Sequence, residues 1–179
     1  DRTAQLGANL LGAVFLLLAV WTGGFLTDAL LNTALAGFLL FAVLHSVFPV
    51  VVQRLRPGEP PAWWMHLFPS LALLLVLFPM FKLSAPSFLL WPVVLLIDAL
   101  ALLLAVVTAS LAAVVAVLVL TALVTAVWVL RVPVSLEGWV GLPGTLLVIG
   151  GFALLFFFFG IFAVKKLLPR FSSVWTGGG

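Results

Sequence analysis

Residues 87–130 form a block of 44 positions without a single lysine or arginine. As one helix the block would be about 66 Å long at 1.5 Å per residue, more than twice the roughly 30 Å of hydrocarbon in a bilayer. In a soluble domain it would have no face to turn to water. The rest of the chain does not help: 65% of its 179 residues are hydrophobic and 7% charged, against roughly 45–50% and about 25% in soluble domains. The block is therefore expected to cross a membrane, reverse and cross back. Its only polar cluster near the middle is Thr108 and Ser110, which places the reversal there and gives spans at 87–107 and 111–130.

Four further apolar runs, bounded by polar, glycine or proline residues, are long enough to span. They cover residues 6–22, ending at Gly23 and Gly24; 29–53, with Thr27 and Asp28 as the N-cap; 63–81; and 141–164. Transmembrane strands would be segments of roughly ten residues alternating apolar and polar, whereas LLLAVV and FALLFFFF are apolar on every side. The predicted fold is all-α, a polytopic bundle of six transmembrane helices forming one domain over residues 1–179. The longest internal connector, residues 131–140, is ten residues, too short for an extramembrane domain. A start at Asp1 rather than Met and the ending Gly177, Gly178, Gly179 read as a fragment of a longer chain. Alanines recur at four-residue spacing at Ala101, Ala105 and Ala109, at Ala112 and Ala116, and at Ala122 and Ala126. Small residues so placed let backbones approach closely, so the fourth and fifth spans are expected to form a tight antiparallel hairpin.

Six spans put both termini on one side. That side collects Arg2, Arg54, Arg56, Lys165, Lys166 and Arg170, and the other only Lys82 and Arg131; the positive-inside rule then makes both termini cytoplasmic. With a net charge of +3 scattered at the ends of apolar runs, the expected partners are the bilayer, anionic headgroups at Arg54, Arg56, Lys165, Lys166 and Arg170, and further membrane helices of this or another chain, not nucleic acid. The tail KKLLPRFSSVW is expected to lie on the membrane surface through Leu167, Leu168, Phe171 and Trp175. Trp63, Trp64, Trp91, Trp128, Trp139 and Trp175 fall near predicted interfaces, where indoles anchor at headgroup level.

Few residues offer chemistry. Asp98 is twelfth in a span of 21, near the bilayer midplane, where a charged Asp costs about 2.5–3.5 kcal/mol. Thr121, eleventh of 20 in the next span, lies at the same depth and within reach of a hydroxyl–carboxyl hydrogen bond. Asp98 and Thr121 are the candidate intramembrane polar site, either a proton or cation relay or a neutral, hydrogen-bonded packing contact. His45 and His66 are weaker candidates: they lack a third ligand at sensible spacing and are read as interfacial or helix-bonded. Pro49, Pro69, Pro79 and Pro92 all fall within spans, a density that permits the bent helices used by transporters. With no cysteine, no glycine-rich phosphate loop, no Ser/His/Asp set, no paired carboxylates and no zinc helix, no catalytic residue, cofactor or metal site is assigned.

The segments LHSVFPVVVQRLRPGEPP, APSFLLWPVVLLIDALALLLAV and GGFALLFFFFGIF resemble parts of a family of large bacterial multi-spanning membrane proteins of unknown function, over residues 29–164. The resemblance implies a bacterial inner-membrane location and more spans than six in a full-length member, and transfers no site residues. The expected function is a structural or scaffold part of a larger membrane assembly. The alternative is a transporter or permease core using an Asp98 relay, and an enzyme would need His45, His66 and Asp98 to converge. The absence of native cysteine makes the orientation directly testable. A Gly58→Cys substitution in the connector RLRPGEPPA is expected to react with an impermeant maleimide from the cytoplasmic side only; labelling from the periplasmic side alone would invert the topology.

Overall fold

Uninterrupted leucine, valine, alanine and phenylalanine runs leave the backbone as the main polar group, and a helix satisfies it within the run itself. The computed structural model describes residues 2–55, 67–83, 87–108, 111–131 and 142–176, and these contain six α-helices and no strand. In order they are α1 (Arg2–Phe25), α2 (Leu31–Leu55), α3 (Leu67–Lys82), α4 (Leu90–Thr108), α5 (Leu111–Arg131) and α6 (Leu142–Thr176), with a 3-10 turn at Asp28–Leu30 between the first two. Three stretches, Asp28–Phe48, Ala113–Arg131 and Leu142–Phe162, are long and apolar enough to cross a membrane; Gly12–Phe25, Phe68–Lys82 and Leu90–Val106 are shorter apolar runs.

The helix ends refine the sequence expectations. Helix α1 does not stop at the Gly23–Gly24 pair but runs to Phe25, and the Leu26 amide still donates to the Thr22 carbonyl. Thr27 holds the extended backbone of an N-cap, yet its side chain makes no capping bond. Pro92 is a helix starter, the third residue of α4, where the missing N–H would have no partner anyway; Pro69 is the third described residue of α3. Pro79 lies inside α3 and removes a donor from the Leu75 carbonyl. The tail 165–176 continues α6 as one 35-residue helix, which corrects the expectation of a separate surface segment. The side chains of Lys165, Lys166, Arg170 and Trp175 lie outside the described residues, as do Arg56, Trp63, Trp64, His66 and Trp139.

Helix α3 is the hub. It packs against α1, α2, α4 and α5, and Ala72, Leu73, Val76 and Met80 expose no surface at all. Lys82, in its last turn, donates through Nζ to the carbonyls of Thr22 (3.3 Å) and Gly23 (2.5 Å) at the C-terminal end of α1. Arg131, which ends α5, donates to the Leu83 carbonyl just beyond α3 at 3.1 Å. The odd-numbered helices therefore finish at the same end of the bundle. These two cations neutralise the negative ends of neighbouring helices, where carbonyls lack intrahelical partners.

Helices α4 and α5 pair antiparallel: Asp98 meets Thr121, and seven residues away on each arm Trp91 meets Trp128. Among the described alanines the expectation holds on one arm only, Ala109 and the side chain of Ala112 lying outside the described residues. Ala101 and Ala105 are buried, but Ala116, Ala122 and Ala126 face outward, and α5 presents Ala113, Val117, Thr121, Val124 and Trp128 inward. Seven-residue spacing on both arms keeps one face toward the partner, and Thr121 with Trp128 fixes the phase of α5. Helix α6 meets α4 and α5, burying Gly144, Val148 and Phe152 while Leu147, Leu154, Phe157 and Phe158 stay exposed.

The contrast between inner and outer faces has a direct consequence. Phe38 is fully buried, so Phe38→Ala should cost about 3–5 kcal/mol. Phe158 is 63% exposed, and Phe158→Ala should change stability by less than about 0.5 kcal/mol. Thermal unfolding followed at 222 nm in a mild detergent distinguishes the two.

Candidate functional site

Asp98 is the ninth of 19 residues in α4 and Thr121 the eleventh of 21 in α5, so antiparallel pairing brings their mid-points together. Asp98 has no exposed surface and Thr121 is 2% exposed. The Thr121 hydroxyl oxygen stands 2.8 Å from both carboxyl oxygens of Asp98. A hydroxyl has one hydrogen to give. For both contacts to be hydrogen bonds at once, Thr121 donates to one carboxyl oxygen while the other, protonated, donates back to Oγ1. The neutral acid is thus the form this geometry satisfies best, since an ionised carboxylate would hold a charge on one shared donor with no cation against it among the described residues. One turn further along α5, Thr125 donates to the Thr121 carbonyl at 2.8 Å.

His45 occupies a second, separate polar position. It is buried on α2, with Nδ1 2.6 Å from the Phe41 carbonyl. Because a carbonyl oxygen accepts, Nδ1 carries the proton and the histidine is helix-bonded, as one of its two expected states. Phe15, Phe41 and Phe68 surround the ring, with centroids 5.2, 5.9 and 5.1 Å away. Its Nε2, and the hydroxyl of the adjacent buried Ser46, have no hydrogen-bond partner among the described residues. His45 and Asp98 share no hydrogen bond: one is closed within an aromatic cage between α1, α2 and α3, the other within the α4–α5 seam. His66 lies outside the described residues. Among the described residues no three His, Cys, Asp or Glu side chains gather as a metal would require.

Two tryptophans read as headgroup anchors are inward instead. Trp91 and Trp128 are almost completely buried, edge-on to each other with centroids 5.3 Å apart; Phe88 lies against Trp128 and Phe152 of α6 against Trp91. Their nearness to span ends is what makes them look like anchors in the sequence. The signal that separates them is phase: each lies one heptad from the Asp98–Thr121 pair, on the same seam.

No family model, curated protein or solved structure matches the chain. The site is therefore read from its geometry. An amide at position 98 can donate to and accept from Thr121 just as the neutral acid does, so Asp98→Asn should leave the melting temperature nearly unchanged. Asp98→Leu should lose roughly 0.5–2 kcal/mol. Thr121→Val, which strands a buried carboxyl, should cost about 1–3 kcal/mol, and the Asp98→Leu/Thr121→Val pair should recover part of that loss. A large loss in the Asn variant would contradict the neutral-acid pairing.

Proposed function

We propose that the chain is a polytopic bacterial inner-membrane bundle crossing the bilayer with all six helices, both termini cytoplasmic, and that it serves as a structural part of a larger membrane assembly. The observation that carries the structural role is the closed Asp98–Thr121 pair: a carboxyl without exposed surface, held by a neighbouring helix, is what a packing contact requires. A relay would need a path by which protons or ions reach that carboxyl.

The membrane reading is supported by the inverted distribution of polarity. Asp98, Thr121, His45, Ser46 and Thr22 are buried, whereas Leu55, Leu130, Leu17 and Phe25 are more than half exposed. Soluble monomers rarely expose contiguous apolar patches of more than a few hundred Å²; here such side chains line the outward faces of successive helices. Arg54 in the last turn of α2 is exposed and, with Arg56, Lys165, Lys166 and Arg170, supplies the cytoplasmic headgroup contacts.

Proteoliposomes loaded with a pH-sensitive dye separate the structural role from the transporter alternative. With an imposed pH gradient, wild-type and Asp98→Asn protein should give the same proton flux as protein-free vesicles. A flux present in the wild type and lost in the Asn variant would establish the relay instead, because the amide cannot titrate near neutral pH.

A further inference from the structure

The cage around His45 is closed on the neutral form of its ring. Nδ1–H donates to the Phe41 carbonyl at 2.6 Å, and Nε2 is buried with no partner among the described residues. Phe15 of α1, Phe41 of α2 and Phe68 of α3 face the ring, and Phe15 also stacks on Phe68 at 5.7 Å. A second proton, on Nε2, would put an N–H with no oxygen to receive it, and a charge, among three phenylalanines. Aromatic faces attract a cation, yet they replace neither the water nor the counter-charge that a buried ion needs. Among the described residues no ionisable group faces the cage. Helix α1 has none after Arg2, α2 has only the exposed Arg54, α3 has only Lys82 at its far end, and Asp98 of α4 is closed within the α4–α5 seam. The side chains of Arg2 and His66 lie outside the described residues.

One wall of the cage belongs to a peripheral helix. Helix α1 packs chiefly on α3, with a smaller contact to α2, and turns Leu16, Leu17 and Val20 outward. It is fastened at two levels: Phe15 closes the His45 cage, and two turns further on Lys82 holds the carbonyls of Thr22 and Gly23. In a bilayer the apolar contacts that a helix gives up with its neighbours are regained with lipid, so apolar burial alone holds the Phe15 end weakly and the state of the cage decides. The ring cannot carry a charge out by itself. Arg54, the basic residue in the last turn of α2, is nine residues further along, about 13.5 Å at 1.5 Å per residue, well beyond the reach of an imidazole.

We propose that α1 is an acid-released helix: neutral His45 latches it to α2 and α3, and protonation at Nε2 frees the Phe15 end while Lys82 keeps hold of the other. The released ring, in contact with water, takes the proton; the docked ring has no place for it. Docking is therefore at full strength above the ordinary histidine pKa of about 6.5 and weakens by up to about tenfold with each pH unit below it. The exchange of protein contacts for lipid contacts rests on the membrane reading above.

Double electron–electron resonance on the full chain in lipid nanodiscs tests it, with spin labels on Gly12→Cys in α1 and Leu40→Cys in α2, both exposed positions in a chain without native cysteine. From pH 7.5 to 4.5 the ratio of released to docked α1 should rise by up to about 90-fold. It is read as a reversible component longer by about 10 Å, the spacing of neighbouring helices. His45→Phe keeps the cage aromatic and cannot titrate, so it should hold the short distance at every pH; should it fail to fold, His45→Gln, equally unable to titrate, takes its place. A second pair, Leu103→Cys in α4 and Val115→Cys in α5, both exposed, should keep one distance throughout. A Gly12–Leu40 distance that ignores pH while His45 is present overturns the proposal. The same acid shift in the His45 variant overturns it too, as does broadening of the α4–α5 pair alongside, which is general unfolding. Release of the chain from membranes by alkaline carbonate would instead sink the membrane reading itself. A carbonate-resistant chain with pH-independent distances sinks only the latch.

Discussion

The hydrogen bond between Thr121 and Asp98 sets the register on which the outer half of the bundle depends. It is the one polar side-chain contact described across the α4–α5 seam, and apolar side chains alone discriminate poorly between neighbouring registers, because sliding one Leu-rich surface over another changes little. A buried acid and a hydroxyl do discriminate: any other alignment leaves both unsatisfied. Once they meet, Trp91 falls opposite Trp128, and the pair of indoles becomes the surface on which Phe152 of α6 rests. A single polar pair thus propagates through seven-residue steps into the placement of a third helix.

The inner half is organised differently, around α3. Its buried face is built of residues that interdigitate without exposed surface, and its C-terminal end is tied twice by charge. Lys82 reaches the carbonyls that close α1, and Arg131 reaches the one that follows α3. Neither cation needs an acidic partner. The last carbonyls of a helix are themselves a concentrated partial negative charge, and a chain with five acids among 179 residues uses that charge where a soluble protein would place a carboxylate.

Much of this was legible in the sequence because lipid-length apolar runs interrupted by polar clusters mark helices one by one. The break at Thr108 and Ser110 was readable for that reason: α4 ends at Thr108 and α5 begins at Leu111. The depth match of Asp98 and Thr121 followed from counting residues inward from that break. What failed to show was everything that depends on helix rotation. In a run apolar on all sides no stripe marks the inward face, so alanine spacing pointed outward on α5 as readily as inward on α4, and two tryptophans near helix ends passed for anchors. Pro92 looked like a kink because the first turn of α4 begins later than the apolar run that contains it. The roles of Lys82 and Arg131 were invisible because their partners are backbone carbonyls, which carry no letter in a sequence.

The α4–α5 pairing also determines where this chain tolerates a change of length. Asp98 and Thr121, and likewise Trp91 and Trp128, sit symmetrically about positions 109 and 110, so the hairpin is indexed from its centre. Residues inserted between Thr108 and Leu111 lengthen the connection and leave every pair in place. One residue inserted between Trp91 and Asp98 rotates all that lies beyond it by about 100°, carrying either the indole or the acid off the seam. Chain length is negotiable at the reversal and fixed along the arms.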